Sequence, residues 1–220
     1  MVNLNNSHIY LSRDVILDLL KRREYDTSAY EHYTQEDILS MLSIIKKTTQ
    51  KNTQTPLDMV CKHKKMDKYI HVCYFFGSKL KIQTVENIVE NMIKHVIFKT
   101  DDDEVIFISD EKISNEALFD NQLDGLYKKR NSKYFTQVFD LSKLIINIMK
   151  HELVPEHTII SEEDKKKLLL KFDIAHLSQL PIILKIDPVA KFIGMKRGDV
   201  CEIRKSSETG GECIVFRYCQ

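Results

Sequence analysis

Three groups of side chains in this sequence have the types and spacing to do chemistry. Asp110-Glu111-Lys112 has the acid-x-Lys form of a metal-dependent nuclease, in which a carboxylate holds Mg2+ and a lysine supports the attacking water. Such a site needs a second acid on a neighbouring strand. In a chain this rich in acids and lysines, about four such triplets arise by chance. His151, Glu152 and His157 are metal-ligand types, but a His-x5-His spacing falls on no single helix face. They read as polar loop and strand-end residues. The five cysteines, Cys61, Cys73, Cys201, Cys213 and Cys219, are odd in number and form no CxxC pair. That argues against a disulfide framework or zinc knuckle and for a reducing compartment. From the sequence we therefore assign no catalytic, cofactor-binding or metal-binding residue.

The charge is nearly balanced, with a formal net charge of +1 over 220 residues. The balance is also local: residues 1–149 carry 21 basic and 21 acidic side chains, and residues 150–220 carry 12 and 11. Bulk charge therefore advertises no nucleic-acid binder, and any duplex contact must come from local patches. Two are candidates, Lys62-His63-Lys64-Lys65 with Lys68, and Lys128-Lys129-Arg130 with Lys133. Lysines in turns can reach phosphates without reading bases, although solvated loop charge is the ordinary role of such clusters. Tyr and Phe are not interleaved with them, so no stacking platform for single strands is present. Val2-Asn3-Leu4-Asn5-Asn6 is too polar for a signal peptide, and no run of eighteen apolar residues exists, so no membrane contact is expected. Lysine exceeds arginine 26 to 7, a bias of AT-rich coding that hints at a divergent or large-virus source.

The elements that must position these groups follow from periodicity. Residues 11–24 read as an amphipathic helix capped by Ser12, with Leu11, Val15, Ile16, Leu19 and Leu20 on one stripe. A second helix starts at Thr34 with Asp37 as a capping-box variant, and Ile38, Met41, Leu42 and Ile45 form its buried face. Residues 48–56 read as a loop. Strands are predicted at 57–61, 69–76, 105–108 and 135–139. Helices are predicted from Thr84 (Val85, Ile88, Val89, Met92, Ile93 and Val96 inward) and over 115–127. Residues 101–104 read as an acidic turn, and 144–149 as a strand or short helix. Alternating strands and helices imply an α+β fold built on a mixed sheet.

A second unit begins near residue 150. Its junction, Leu153-Val154, is apolar enough to be docked. Ser161 caps a helix with Asp164 at the capping-box position, wet pairs Glu162 to Lys166 and Glu163 to Lys167, and Leu168, Leu169 and Phe172 inward. Ile182-Ile183-Leu184 follows Pro181 as a strand. Asp187-Pro188 starts a helix that Gly194 ends. The closing hairpin pairs 200–205 with 212–218 around Thr209-Gly210-Gly211. Cys213 and Cys219 share one face, and Ile214, Phe216 and Tyr218 share the other.

Several short strings in this last third resemble, in order and spacing, the assembly domain of RNA polymerase subunit 5, a domain that makes up the whole of the homologous archaeal protein. They are His151-Glu152-Leu153-Val154-Pro155-Glu156-His157, Ser161-Glu162-Glu163, Gln179-Leu180-Pro181, Asp187-Pro188-Val189-Ala190, Lys196-Arg197-Gly198-Asp199-Val200 and Ser207-Glu208-Thr209, with Gly211 and Arg217. Earlier, Arg22-Arg23-Glu24-Tyr25 resembles the end of the family's first helix, and Thr34-Gln35-Glu36-Asp37 the start of its second.

The resemblance implies two domains. Residues 1–149 would form a jaw domain, a mixed sheet with helices like a truncated restriction endonuclease without catalytic residues. Residues 150–220 would form a small mixed-sheet assembly domain. It implies a non-catalytic subunit that binds no cofactor of its own, the Mg2+ of RNA synthesis belonging to the two largest subunits. The assembly domain would dock on the largest subunit, and the jaw would lie beside downstream double-stranded DNA. The implied docking residues are Leu153, Val154 and Pro155, then Asp187 and Pro188, then Ile203, Ser207, Glu208, Thr209, Gly211, Phe216 and Arg217. DNA-proximal candidates are Lys62, Lys64, Lys65, Ser114, Asn115, Lys128, Lys129 and Arg130. The implied location is the nucleus, or the viral factory or virion of a large DNA virus. There are departures: the family's Thr-Pro-Ser-Ala jaw loop is here Ser114-Asn115-Glu116-Ala117, whose acid would repel phosphate. Phe216 replaces a tyrosine, and Gly210 a small side chain. A nuclease built on Asp110 and Lys112 and a free-standing adaptor are the alternative functions.

Overall fold

The computed structural model describes residues 6–47, 55–95, 97–100, 102–129, 134–207 and 211–220. The chain divides into two compact units, Met1–Ile146 and Asn147–Gln220. Both sheets are mixed and helices accompany each, an α+β architecture. Among the described residues no helix is long and apolar enough to cross a membrane.

In the first unit, α1 (Asn6–Arg22) starts earlier than its periodicity suggested. Ser12 is not its cap: it lies inside the helix, fully buried, with its hydroxyl donating to the Ile9 carbonyl at 2.8 Å. Ile9, Val15, Ile16, Leu19 and Leu20 make the buried stripe, and Leu11 is exposed. Helix α2 (Gln35–Lys47) is opened by the expected reciprocal cap. The Thr34 amide donates to Asp37 Oδ2 (2.8 Å), and the Asp37 amide donates to Thr34 Oγ1 (3.3 Å). Residues 48–54, Val96 and Asp101 lie outside the described residues.

The sheet of this unit runs β1-β2-β3-β4, with β1 (Met59–Lys62) antiparallel to β2 (Tyr69–Phe75). Strands β2, β3 (Glu104–Ser109) and β4 (Phe135–Asp140) are mutually parallel. Parallel neighbours need crossovers, supplied by α3 (Ile82–Lys94) and α4 (Glu116–Lys129). Every residue of β3 is buried. Val105 and Phe107 pack with Val85, Val89 and Met92 of α3, while Ile106 and Ile108 point to the opposite, equally buried face. Ile93, expected inside, is exposed. Residues 101–104 are not simply a wet turn, for Asp103 is fully buried. Its carboxylate accepts the Tyr69 amide at 2.8 Å and the Lys99 amide at 2.7 Å. Burial raises this carboxyl, but the bond from the Thr100 hydroxyl and the backbone amide bonds together outweigh it and hold Asp103 below the usual carboxylate range.

The free side of edge strand β1 is closed. The Tyr30 hydroxyl accepts the Val60 amide (3.0 Å) and donates to the Val60 carbonyl (3.3 Å), and the Asp26 amide donates to the Lys62 carbonyl (2.8 Å). Residues 144–149 form no strand. Two 3-10 turns, Leu141–Leu144 and Ile148–Lys150, take that stretch, the second held by Asn147, whose side chain accepts the Met149 amide at 3.0 Å.

The second unit is a sheet of order β5-β7-β8-β6. Its strands are β5 (Glu156–Ile159), β6 (Ile182–Ile183), β7 (Val200–Ser207) and β8 (Gly211–Cys219). Helix α5 (Glu162–Phe172) is capped by Ser161, whose hydroxyl oxygen accepts the Asp164 amide at 3.2 Å. Its ion pairs run at i,i+3 rather than the expected i,i+4. Lys165 meets Glu162 at 2.6 Å and Lys167 meets Asp164 at 2.9 Å. Helix α6 (Pro188–Ile193) starts at Asp187, whose carboxylate accepts the Val189 amide at 2.8 Å, and stops at Gly194 with φ +80. One face of the ribbon, Cys201, Ile203 and Cys219, packs on Ala190 and Met195. All five cysteines are free thiols; Cys219 is buried, but Cys213, farther along the same face, is exposed. Burial pushes the Cys201 and Cys219 thiols up to about 11.

Candidate interaction surfaces

The string Arg22-Arg23-Glu24-Tyr25 ends α1 and inserts two side chains into the sheet. Arg23 Nη2 donates to Gln137 Oε1 at 2.6 Å, and its Nη1 lies 3.8 Å from Glu104 Oε2. Lys68 Nζ meets Glu104 Oε1 at 3.0 Å. Tyr25 is fully buried beside them, and burial together with Glu104 pushes its hydroxyl well above the usual tyrosine range. Burial pulls the Arg23 guanidinium below its ordinary value, against the pull of Glu104. A buried acid with two cations around it ties α1, β2, β3 and β4 together. The sequence signal for it was a doubled arginine before a tyrosine at a helix end.

The structure separates the DNA-proximal candidates. Lys62, Lys64 and Lys65 lie in or beside the β1–β2 connection, at the end of the sheet where the parallel strands start. Lys128 and Lys129 end α4, which returns the chain to that same end before β4. Arg130 and Lys133 lie outside the described residues. Ser114 and Asn115 sit at the opposite end, after β3 and ahead of α4. Two of the lysines are already engaged: Lys62 with Asp67 (3.1 Å) and Lys65 with Glu24 (2.6 Å). Lys64 is exposed and makes no ion pair among the described residues. The buried His63 organises this turn, its Nδ1 accepting the amides of Lys65 and Met66, each at 3.1 Å. Asn115 caps α4, its side-chain oxygen accepting the Leu118 amide at 3.0 Å.

The acids at the Ser114 end serve the backbone. Asp110 Oδ2 accepts the Gly77 amide (2.9 Å), and Asp140 Oδ1, on the neighbouring strand, accepts the Ile113 amide (3.0 Å). Burial raises both carboxyls above the usual range. Among the described residues no three His, Cys, Asp or Glu side chains are grouped to hold a metal. His151 and His157 likewise make local bonds, His151 Nδ1 accepting the Leu153 amide (3.2 Å) and His157 Nδ1 lying 2.7 Å from the Pro155 carbonyl.

The second unit leaves much apolar surface wet. Leu153 is 82% exposed and Leu170 84%, so Leu153 is not buried within its own unit. Ile182, Leu184, Ile214 and Phe172 are also exposed, although Phe172 was expected inside. The Phe172 ring meets Phe216 edge-on, centroids 5.9 Å apart. Strand register puts Ile182 on the face of Tyr218, and hence of Phe216 and Ile214. Val154 and Pro155 are half-buried, Asp187 caps α6 and Pro188 is exposed. Ile203 is a core residue at 3% exposure, so its side chain is turned away from any partner. Ser207 and Gly211 close the ribbon register, while Glu208 and Thr209 lie outside the described residues. Sequence reasoning missed Leu170, Ile182 and Leu184, which adjoin buried Leu168 and Ile183 and differ from them only in phase.

Residues 146–219 match the family model for the C-terminal domain of RNA polymerase Rpb5. A Dictyostelium discoideum protein, DNA-directed RNA polymerases I, II, and III subunit rpabc1, is 31% identical over 211 residues, 94% of each chain. The chain belongs to the RNA polymerase subunit 5 family. The subunit RPABC1 of Caenorhabditis briggsae is 44% identical over 85 residues, a match spanning 39% of this chain and 40% of that relative. Archaeal subunit Rpo5 of Methanothermobacter thermautotrophicus is 49% identical over 73 residues, 33% of this chain and 94% of its own length. The subunit 5 likeness is thus densest in the second unit and continues, thinner, through the first.

Proposed function

We propose that this chain is a non-catalytic subunit of a DNA-dependent RNA polymerase. The second unit docks on the largest subunit, and the first, a jaw like a truncated restriction endonuclease, lies beside downstream duplex DNA. The full-length likeness to a named polymerase subunit supports the class. The observation that carries the docking is the exposed apolar surface of the second unit, led by Leu153, Leu170, Ile182, Leu184 and Ile214. Exposed apolar side chains gathered on one surface mark protein interaction sites. Pro155, Pro188, Phe216 and Arg217 complete the docking surface, with Ile203 supporting it from beneath.

For the duplex, the end of the first sheet carrying Lys64, Lys128 and Lys129 is the better candidate. Ser114 and Asn115 share their end with Glu116, Asp110 and Asp140, and phosphate is repelled there. Contact through so few cations is weak and strongly salt-dependent. The chain holds no cofactor, and Mg2+ belongs to the largest subunits. The enzyme works in the nucleus, or in the factory or virion of a large DNA virus if the host polymerase is viral.

A tagged copy tests this reading. It recovers the two largest polymerase subunits in near-stoichiometric amount. Recovery of the chain alone, with all subunits expressed, overturns it.

A further inference from the structure

One edge of the β7–β8 ribbon is left open. The Cys219 amide donates to the Asp199 carbonyl (2.8 Å), and the Gly198 amide donates to the Cys219 carbonyl (3.0 Å). Backbone groups alternate sides along a strand, so the odd residues of β8 face β7 and Glu212, Ile214, Phe216 and Tyr218 face away from it. On that outer side β6 meets only the end of β8. The Tyr218 amide donates to the Pro181 carbonyl (2.9 Å), and the register stops at Ile182↔Tyr218. Pro181 has no N–H and cannot carry the ladder further. The amides and carbonyls of Glu212, Ile214 and Phe216 therefore have no backbone partner among the described residues.

Natural edges are usually blunted by lysine, proline or a bulge on the edge itself. This one instead presents Ile214, 48% exposed, and half-buried Phe216 on one face. On the other face Arg217 follows Val215, its Nη1 donating to the Ile182 carbonyl at 3.3 Å, and Lys205 of β7 lies across from Cys213; neither cation makes an ion pair among the described residues. An unpaired row of alternating donors and acceptors is complementary to one kind of occupant, another extended backbone.

We propose that the outer edge of β8 takes an extended segment of the partner chain as an added strand, lying end to end with β6. That segment is apolar where it meets Ile214 and Phe216 and acidic where it passes Lys205 and Arg217. The inference rests on the docking reading above and states how docking is made.

Hydrogen exchange on the full chain, free and within purified polymerase, tests it. The amides of Glu212, Ile214 and Phe216 exchange fast when free and slow by about a hundredfold or more on assembly, as for amides drawn into a ladder. Fast exchange in particles that contain the chain overturns the added strand while leaving docking intact; failure to recover the chain in particles overturns both. Ile214→Pro removes one outward donor without touching the internal ladder, because edge positions tolerate proline. It lowers recovery of the largest subunits about tenfold, the effect of one lost interstrand bond, with the thermal midpoint of the free chain little changed. Undiminished recovery contradicts the proposal.

Discussion

The two units treat their exposed ends of structure in opposite ways. The first closes its edge strand β1 with the Tyr30 hydroxyl and the Asp26 amide and buries Glu104 between Arg23 and Lys68. The second leaves the outer edge of β8 from Glu212 to Phe216 unpaired among the described residues, and Leu153, Leu170, Ile182 and Leu184 wet. The edge strand β1 of the first unit is finished by folding alone. Under the proposed docking, the open edge of β8 is finished by association. The contrast lies in the strand edges, for both units expose apolar side chains, Met66 and Leu118 in the first among them.

The sharpest way to break it is in the first unit. Glu104→Ala leaves Arg23 buried without its acid and costs about 3–5 kcal/mol. Urea unfolding with segment-resolved hydrogen exchange measures that loss over residues 1–146, while 147–220 hold their protection. Equal loss in both units contradicts the division. In the second unit, Asp187→Ala removes the cap of α6 and costs about 1 kcal/mol. Thermal unfolding reads it, and an unchanged midpoint contradicts the cap assignment.

A pH titration sharpens the comparison further. Burial lowers the pKa of His63 and of His71. Asp103 partly offsets this for His71, as Glu24 and Glu104 do for His63 against Lys68 and Lys65. The unfolded chain therefore binds more protons than the folded one below about pH 6.5, and the first unit loses stability as pH falls from 7 toward 5.5. Nearer pH 4, the raised carboxyls of Asp58, Asp110 and Asp140 act in the opposite sense. Flat stability of the first unit from pH 7 to 5.5 contradicts the neutral buried histidines. The smallest effect on folding comes from Leu170→Ser, within about 0.5 kcal/mol because the residue is wet. Its cost appears in assembly, as reduced recovery of the largest subunits.

Local chemistry was legible where local chemistry decides. The Thr34–Asp37 and Ser161–Asp164 caps, the Asp187-Pro188 start and the Gly194 stop all follow from side chains within three residues of each other. The family, too, could be read from the ordered strings of the last third. Phase and reach were harder. Ser12 looked like a cap because it precedes an apolar run, yet the helix extends upstream and its hydroxyl finds Ile9. Asp103 looked solvated among its acidic neighbours, but its partners, Tyr69 and Lys99, come from the packing of β2 against the loop. Lys62 and Ser114 read as neighbours in function, and only the parallel order of β2, β3 and β4 separates them by the length of the sheet. The exposure of Leu170 beside buried Leu168 depends on where α5 lies on its sheet, which no spacing rule states.

The central claim is that the wet apolar residues of the second unit are covered in the assembled enzyme. Hydroxyl-radical footprinting of the free chain and of the purified polymerase measures this directly. Strong protection of Leu170, Ile182, Leu184 and Ile214 on assembly, with Met66 and Leu118 of the first unit still reactive, is the predicted result. Equal reactivity of those four residues in both states contradicts the account.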